Sequence, residues 1–193
     1  GTWFCDIKMN YWTQGKDNIF VAGHRGWYDK YPENTMEGFR AVLELGVDQI
    51  ETDIRVTKDG ELVLFHDETV DRVTDGSGKV SDHTLAELQQ LTVLDTGRIP
   101  TFIEFMDLVK DHPTLTLDIE LKEFPTEGRE ELAHSVCDRV ITILEEYGYG
   151  KRCVINTWSG TLHEYIHDTY GSKYPQHVYY PQRCLGTCTQ DPY

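Results

Sequence analysis

Apolar runs in this chain end repeatedly on residues able to do chemistry. The run Ile19-Phe20-Val21-Ala22-Gly23 leads into His24-Arg25-Gly26, residues 47–56 carry Glu51 and Asp53, and residues 61–65 lead into His66-Asp67. Short apolar runs bounded by turn residues read as strands, and segments of helical period follow several of them. Alternating strands and helices pack as a parallel sheet joined by crossovers. In such folds active sites are built at the carboxyl ends of the strands, and a site drawn from several strand ends favours a closed barrel over an open sheet. The expected fold is therefore α/β, a TIM-type β/α barrel. A barrel needs eight strands and typically about 250 residues. This chain has 193 residues and about six countable strands, so the barrel is expected to be incomplete at its C-terminus, in a truncated or cleaved chain.

Residues 1–18 show no clear period and read as a lead-in to a barrel domain over 19–193. Asn34 followed by Glu37 predicts a capping box, opening a helix whose apolar face is Phe39, Val42, Leu43 and Leu45 and which Gly46 stops. Lys58-Asp59-Gly60 turns the chain between the second and third strands, and the polar, glycine-bearing stretch 67–83 reads as a loop. Thr84 with Glu87 and Thr101 with Glu104 predict two further capping boxes. A fourth strand is expected at 115–121 and a strongly periodic helix at 130–147, carried by Leu132, Val136, Val140, Ile143 and Leu144. A fifth strand at 153–156, a short helix at 159–170 and a sixth strand at 178–180 complete the expected order.

Lysine and arginine number 18 against 33 acids, a formal charge of −15, which argues against nucleic acid as a partner. No apolar run approaches the ~20 residues of a membrane span. Five cysteines, an odd and sparse set, do not make a disulfide framework, and Cys184-x-x-x-Cys188 lacks a second ligand pair for zinc. Cytoplasmic localisation is the expectation. The chain starts Gly1-Thr2-Trp3, with neither an initiator Met nor a leader, so a secreted chain whose leader was removed is the alternative.

Glu51 and Asp53 lie two apart on a predicted strand, which puts both side chains on one face. Carboxylates so close repel unless a cation sits between them, and oxygen-only ligands suit a hard ion, Mg2+ or Ca2+. Glu120 and Lys122 repeat the spacing on the fourth strand: the glutamate offers a third carboxylate, and the lysine either pairs with it or holds a phosphate oxygen. His24 and His66, at matched strand ends, have the side chain that titrates nearest neutrality and can share proton donation and acceptance. Arg25 offers a planar fork suited to phosphate, or an ion pair with Glu33. Trp158, just past the fifth strand, either walls a pocket or packs at its rim. His163 and His167 have metal-compatible helical spacing, but without the glutamate of a zinc-protease motif they read as a solvated helix face.

Taken in order, His24-Arg25-Gly26, Pro32-Glu33-Asn34-Thr35, Glu51-Thr52-Asp53, Thr57-x-Asp59-Gly60 and His66-Asp67 resemble the glycerophosphodiester phosphodiesterase family. Arg72-x-Thr74, Gly78, Ile99-Pro100-Thr101 and Ile119-Glu120-Leu121-Lys122 extend the likeness, which covers residues from about 20 to 160. The resemblance implies a β/α barrel that hydrolyses glycerophosphodiesters such as glycerophosphocholine to glycerol 3-phosphate and an alcohol. It implies one divalent cation, Mg2+ or Ca2+, held by Glu51, Asp53 and Glu120. His24 and His66 would be general base and acid, and Arg25 and Lys122 would bind the phosphate. A small insertion over the barrel mouth is implied at about 67–98. The alternatives are a sphingomyelinase D or phospholipase-like phosphodiesterase on the same barrel, and a non-catalytic remnant acting as a binding module. Glycerophosphocholine against sphingomyelin and lysophospholipids separates the first; the second could keep its cation site, and retention of every chemical residue speaks against it.

Overall fold

The computed structural model describes residues 20–178. The lead-in segment 1–18, the residues Cys5, Cys184 and Cys188, and most of the sixth predicted strand lie outside that range. The described elements run β1 (Ala22–His24), α1 (Met36–Leu45), β2 (Gln49–Val56), β3 (Leu62–Leu64), a 3-10 turn (Val80–Asp82), α2 (Leu85–Gln89), α3 (Phe102–Val109), β4 (Thr116–Leu121), α4 (Glu130–Glu146), β5 (Cys153–Thr157), α5 (Gly160–Tyr170) and β6 (Gln176–Val178). Six strands form one sheet, ordered β1-β2-β4-β5-β6, with β3 paired to β2 alone. Every pair along that path is parallel, whereas β2 and β3 are antiparallel. The third strand is thus a hairpin arm rather than a member of the parallel series, because a turn of Lys58-Asp59-Gly60 leaves no length for a crossover.

Strand periodicity sorts the sheet into two unlike faces. Ile50, Ile54, Leu117, Ile119, Leu121, Cys153 and Ile155 share one apolar core with Phe39 and Val42 of α1, Phe105 of α3, Val136 and Val140 of α4, and Leu162 and Ile166 of α5. The intervening positions Glu51, Asp53, Asp118, Glu120 and Asn156 are buried and polar. Helices confined to one face of a parallel sheet build the wall of a β/α barrel, since an open doubly wound sheet carries helices on both. The expected TIM-type architecture is observed. Among the described residues the wall is not closed: β1 and β6 are its two edges.

Local chemistry explains most boundaries. Gly46 takes a left-handed φ of 74° and ends α1. Both predicted capping boxes form, at Thr84–Glu87 and Thr101–Glu104. The box expected at Asn34 does not: the N-cap is Thr35, which accepts from Gly38 N. Asn34 sits before it, buried, with φ 54°, its side chain turned to the strands. Leu45 and Leu132 were expected in the core yet are 61% and 37% exposed; α4 buries Ala133, Cys137 and Ile141 beside Val136, Val140 and Leu144. His163 corrects another expectation, being 2% exposed rather than solvated, with Nε2 2.9 Å from the Thr157 carbonyl. His167 does face solvent. A second apolar cluster of Val63, Phe65, Val70, Val73, Val80, Leu88, Val93 and Ile99 lies apart from the main core.

Candidate active site

Register across the sheet assembles the acids. Asp53 pairs with Glu120 and Glu120 with Asn156, while one step lower His24 pairs with Glu51 and Glu51 with Asp118. In-register neighbours on parallel strands lie about 4.8 Å apart. Glu51, Asp53 and Glu120 accordingly bring carboxylate oxygens within 4.8 Å of one another, all three buried. Among the described residues, Glu51 Oε1 and Asp53 Oδ1 accept no hydrogen bond. Burial and then the Asp53 carboxylate push Glu51 well above the usual carboxylate range; burial also raises Glu120, against the pull of Lys122. A buried cluster of acids with orphaned oxygens fits a hard divalent cation, whose charge replaces the missing solvation.

Cations of the chain itself already lean on these acids. Lys122, 8% exposed, ion-pairs closely with Glu120 and lies 3.5 Å from Asp53 Oδ1. Arg25 Nε lies 3.5 Å from Asp53 Oδ2, and its Nη1 lies 3.4 Å from Glu33. Of the two readings of Arg25, the ion pair with Glu33 is therefore present. Its backbone N donates to the Glu51 carbonyl and to Glu51 Oε2, at 3.0 and 3.2 Å.

The two histidines flank this cluster. His24, half-exposed, places Nε2 3.6 Å from Glu51 Oε2 and meets Tyr28 edge-on. Desolvation and then Arg25 hold its pKa below the ordinary 6.5, which favours the neutral, proton-accepting ring. His66 Nδ1 lies 2.7 Å from Asp67 Oδ1. His66 follows β3, which runs against β1 along the same edge of β2: β1 pairs as far as Glu51 and β3 pairs back to Ile54. Phe65 N then donates to the Asp53 carbonyl. The two strands run towards each other, which brings His24 and His66 to the same edge of β2 although only His24 ends a parallel strand. Trp158, 37% exposed, stands just past β5 at the same end of the sheet.

Several site residues carry roles that their sequence positions had not suggested. Asn34 donates Nδ2 to Asp53 Oδ2 at 3.0 Å and accepts from Thr52 Oγ1 at 2.8 Å, fixing one oxygen of a central acid. Its signal was read as a helix cap. Arg72 bridges Asp67 and Glu33, donating to each at 2.7 and 2.6 Å, so it braces the acid that holds His66. That clamp holds the Asp67 carboxyl down at about 2. Asp118 is a fourth buried acid, 3.3 Å from His177. Its spacing, Asp118-x-Glu120-x-Lys122, made it legible by period two alone.

Comparison with known proteins agrees with the sequence motifs and the fold. The model of the glycerophosphoryl diester phosphodiesterase family matches residues 24–181. A glycerophosphodiester phosphodiesterase of Caldanaerobacter subterraneus is 38% identical over 149 residues, which cover 72% of this chain and 58% of that relative. The chain thus spans little more than half the length of that relative. Among solved structures, a glycerophosphodiester phosphodiesterase from Thermotoga maritima is 27% identical with a TM-score of 0.67, covering 88% of this chain and 65% of its own. An Oleispira antarctica phosphodiesterase, solved with its product sn-glycerol-3-phosphate, shares the fold at 24% identity and a TM-score of 0.70, covering 87% of this chain and 70% of its own. The motifs, the one-sided β/α wall and the extent of the family match agree, and the chain belongs to the glycerophosphoryl diester phosphodiesterase family.

Proposed function

We propose that this protein hydrolyses glycerophosphodiesters, glycerophosphocholine among them, to glycerol 3-phosphate and an alcohol, using one divalent cation, Mg2+ or Ca2+. The observation that carries the proposal is the convergence of Glu51, Asp53 and Glu120, all buried and the first two with an orphaned oxygen each, near two histidines. These three residues would hold the cation, which when bound neutralises phosphate charge and supplies Lewis acidity. Lys122 and Arg25, now leaning on the acids, would turn their charge to the phosphate oxygens. His24, held neutral, takes the proton of the glycerol 2-hydroxyl as that oxygen attacks phosphorus. His66 gives its proton to the departing alkoxide, with Asp67 fixing Nδ1 so that Nε2 faces the leaving oxygen. The resulting cyclic phosphate is opened by water with the two histidines exchanging roles. Trp158 would wall the pocket.

In this reading the barrel domain spans 19–193, with 67–98 as an insertion over its mouth. Support comes from the separate apolar cluster of Val70, Val73, Val80, Leu88 and Val93. No described helix is long and apolar enough to cross a membrane. Among the described residues the buried thiols Cys137 and Cys153 form no disulfide, which fits our reading of a cytoplasmic protein.

The test is release of glycerol 3-phosphate from glycerophosphocholine with EDTA, Mg2+ or Ca2+. Release that EDTA abolishes and either cation restores is expected, and a diester lacking the 2-hydroxyl should not react. His24→Ala and His66→Ala should each lower kcat at least ~100-fold. Near wild-type turnover in both variants would overturn the assignment of the histidines. No release by folded protein with any cation would overturn the activity.

A further inference from the structure

A cavity of about 290 Å3 opens beside the acid cluster, between the 67–98 stretch and the segment after β4. Its charged lining is Arg55, Lys79, Lys122 and Arg129 against Glu68 and Glu123. Most of these charges are already matched. Glu123 accepts from Arg129 Nη2 at 2.8 Å and from Val56 N at 3.1 Å, Glu68 pairs with Lys79 at 3.1 Å, and Lys122 pairs with Glu120. Arg55 is the exception. Its Nε and Nη2 donate to the His66 carbonyl at 3.0 and 2.7 Å, and no carboxylate lies within 4.0 Å of its guanidinium among the described residues. A guanidinium carries five N–H donors, so three of them remain for a ligand.

Position gives this charge a meaning. Arg55 lies two residues beyond Asp53 on the same face of β2, and Lys122 lies two beyond Glu120, just past the end of β4. A two-residue step is about 7 Å along a strand. A diester with its phosphorus at the acids and Lys122 therefore points one substituent into the cavity, towards Arg55. We infer that this cavity receives the alcohol half of the diester and that Arg55 selects an alcohol bearing an oxygen anion, such as a carboxylate. The inference rests on the phosphodiesterase reading above and specifies its substrate class.

Glycerophosphoserine and glycerophosphoethanolamine differ by one carboxylate on the alcohol and provide the test. Wild-type kcat/KM should favour the serine diester about tenfold, and Arg55→Gln should bring the ratio to near one, while Arg55→Lys keeps part of the preference. Arg55 also braces the backbone of His66, so a purely structural role would slow both substrates alike and leave the ratio unchanged. A wild-type ratio near one, or a ratio that Arg55→Gln leaves intact, overturns the inference while the phosphodiesterase reading stands. Release from neither diester overturns that reading instead. Calorimetric binding of O-phosphoserine against phosphoethanolamine, with Mg2+ present, then decides the pocket without turnover. The same tenfold contrast, lost in Arg55→Gln, supports it, and equal affinities overturn it.

Discussion

At the scale of single residues, the acid cluster depends on side chains outside the three carboxylates. Asn34 is the clearest case. Its left-handed backbone, φ 54°, turns the amide back to Asp53 and Thr52 instead of leaving it as a helix cap. Asparagine tolerates that conformation better than most residues, and its amide supplies a donor and an acceptor at once. Asn34→Ala should therefore cost about 1–3 kcal/mol of stability, the penalty for leaving a buried acceptor unsatisfied. It should also weaken cation affinity about 10–100-fold, as removing a group that orients a ligand does. Urea unfolding and a metal titration check the two effects separately. Unchanged cation affinity would show that Asn34 only packs.

Among the elements, the hairpin of β2 and β3 does the most to create the site. It folds the chain back on the edge that β1 vacates, and this return brings His66 to the edge of β2 where His24 lies. The turn is tied at several points: Gly60 N donates to the Thr57 carbonyl at 3.0 Å, Thr57 Oγ1 to Asp59 Oδ1 at 2.6 Å, and Arg139 to the Gly60 carbonyl at 2.7 Å. Gly60 has φ 82°, where a side chain is strained although nothing crowds the space around it. Gly60→Ala should cost about 1–2 kcal/mol. If the hairpin positions His66, turnover should also fall while cation affinity holds, because all three carboxylates lie on β2 and β4. Thermal unfolding with parallel kinetics and metal titration reads this, and a variant that lost affinity and kept turnover would contradict it. The strand itself was legible in the apolar run 61–65. Its direction was implied only by the shortness of the turn.

At the scale of the whole molecule, the acids that make the site also burden it. Glu51 and Glu120 have pKa values raised by burial, so the folded state holds protons that the unfolded chain releases. Such groups stabilise fully below the ordinary glutamate pKa of 4.5, and that contribution is lost as pH rises through the folded value. In EDTA, the contribution of these two glutamates should accordingly fall from pH 4.5 towards neutrality, opposed by His24 with its lowered pKa, so that wild type loses stability relative to Glu51→Gln as pH rises. A divalent cation at a hundred times its Kd should restore about 2.7 kcal/mol in the wild type and less in Glu51→Gln. Denaturant unfolding across pH, with and without Mg2+, measures both, and identical slopes in the two proteins would remove Glu51 from the account. The sequence by itself determined the alternation of elements, two capping boxes, the apolar stripes and which acids and histidines were the candidates for chemistry, because these depend on spacing along the chain. Only the tertiary structure decided that Asn34 faces Asp53 rather than caps α1, that His163 is buried, and that Arg25 and Lys122 rest on the acids. Those outcomes are set by strand register and by which distant groups share a desolvated space, and neither is encoded in local periodicity.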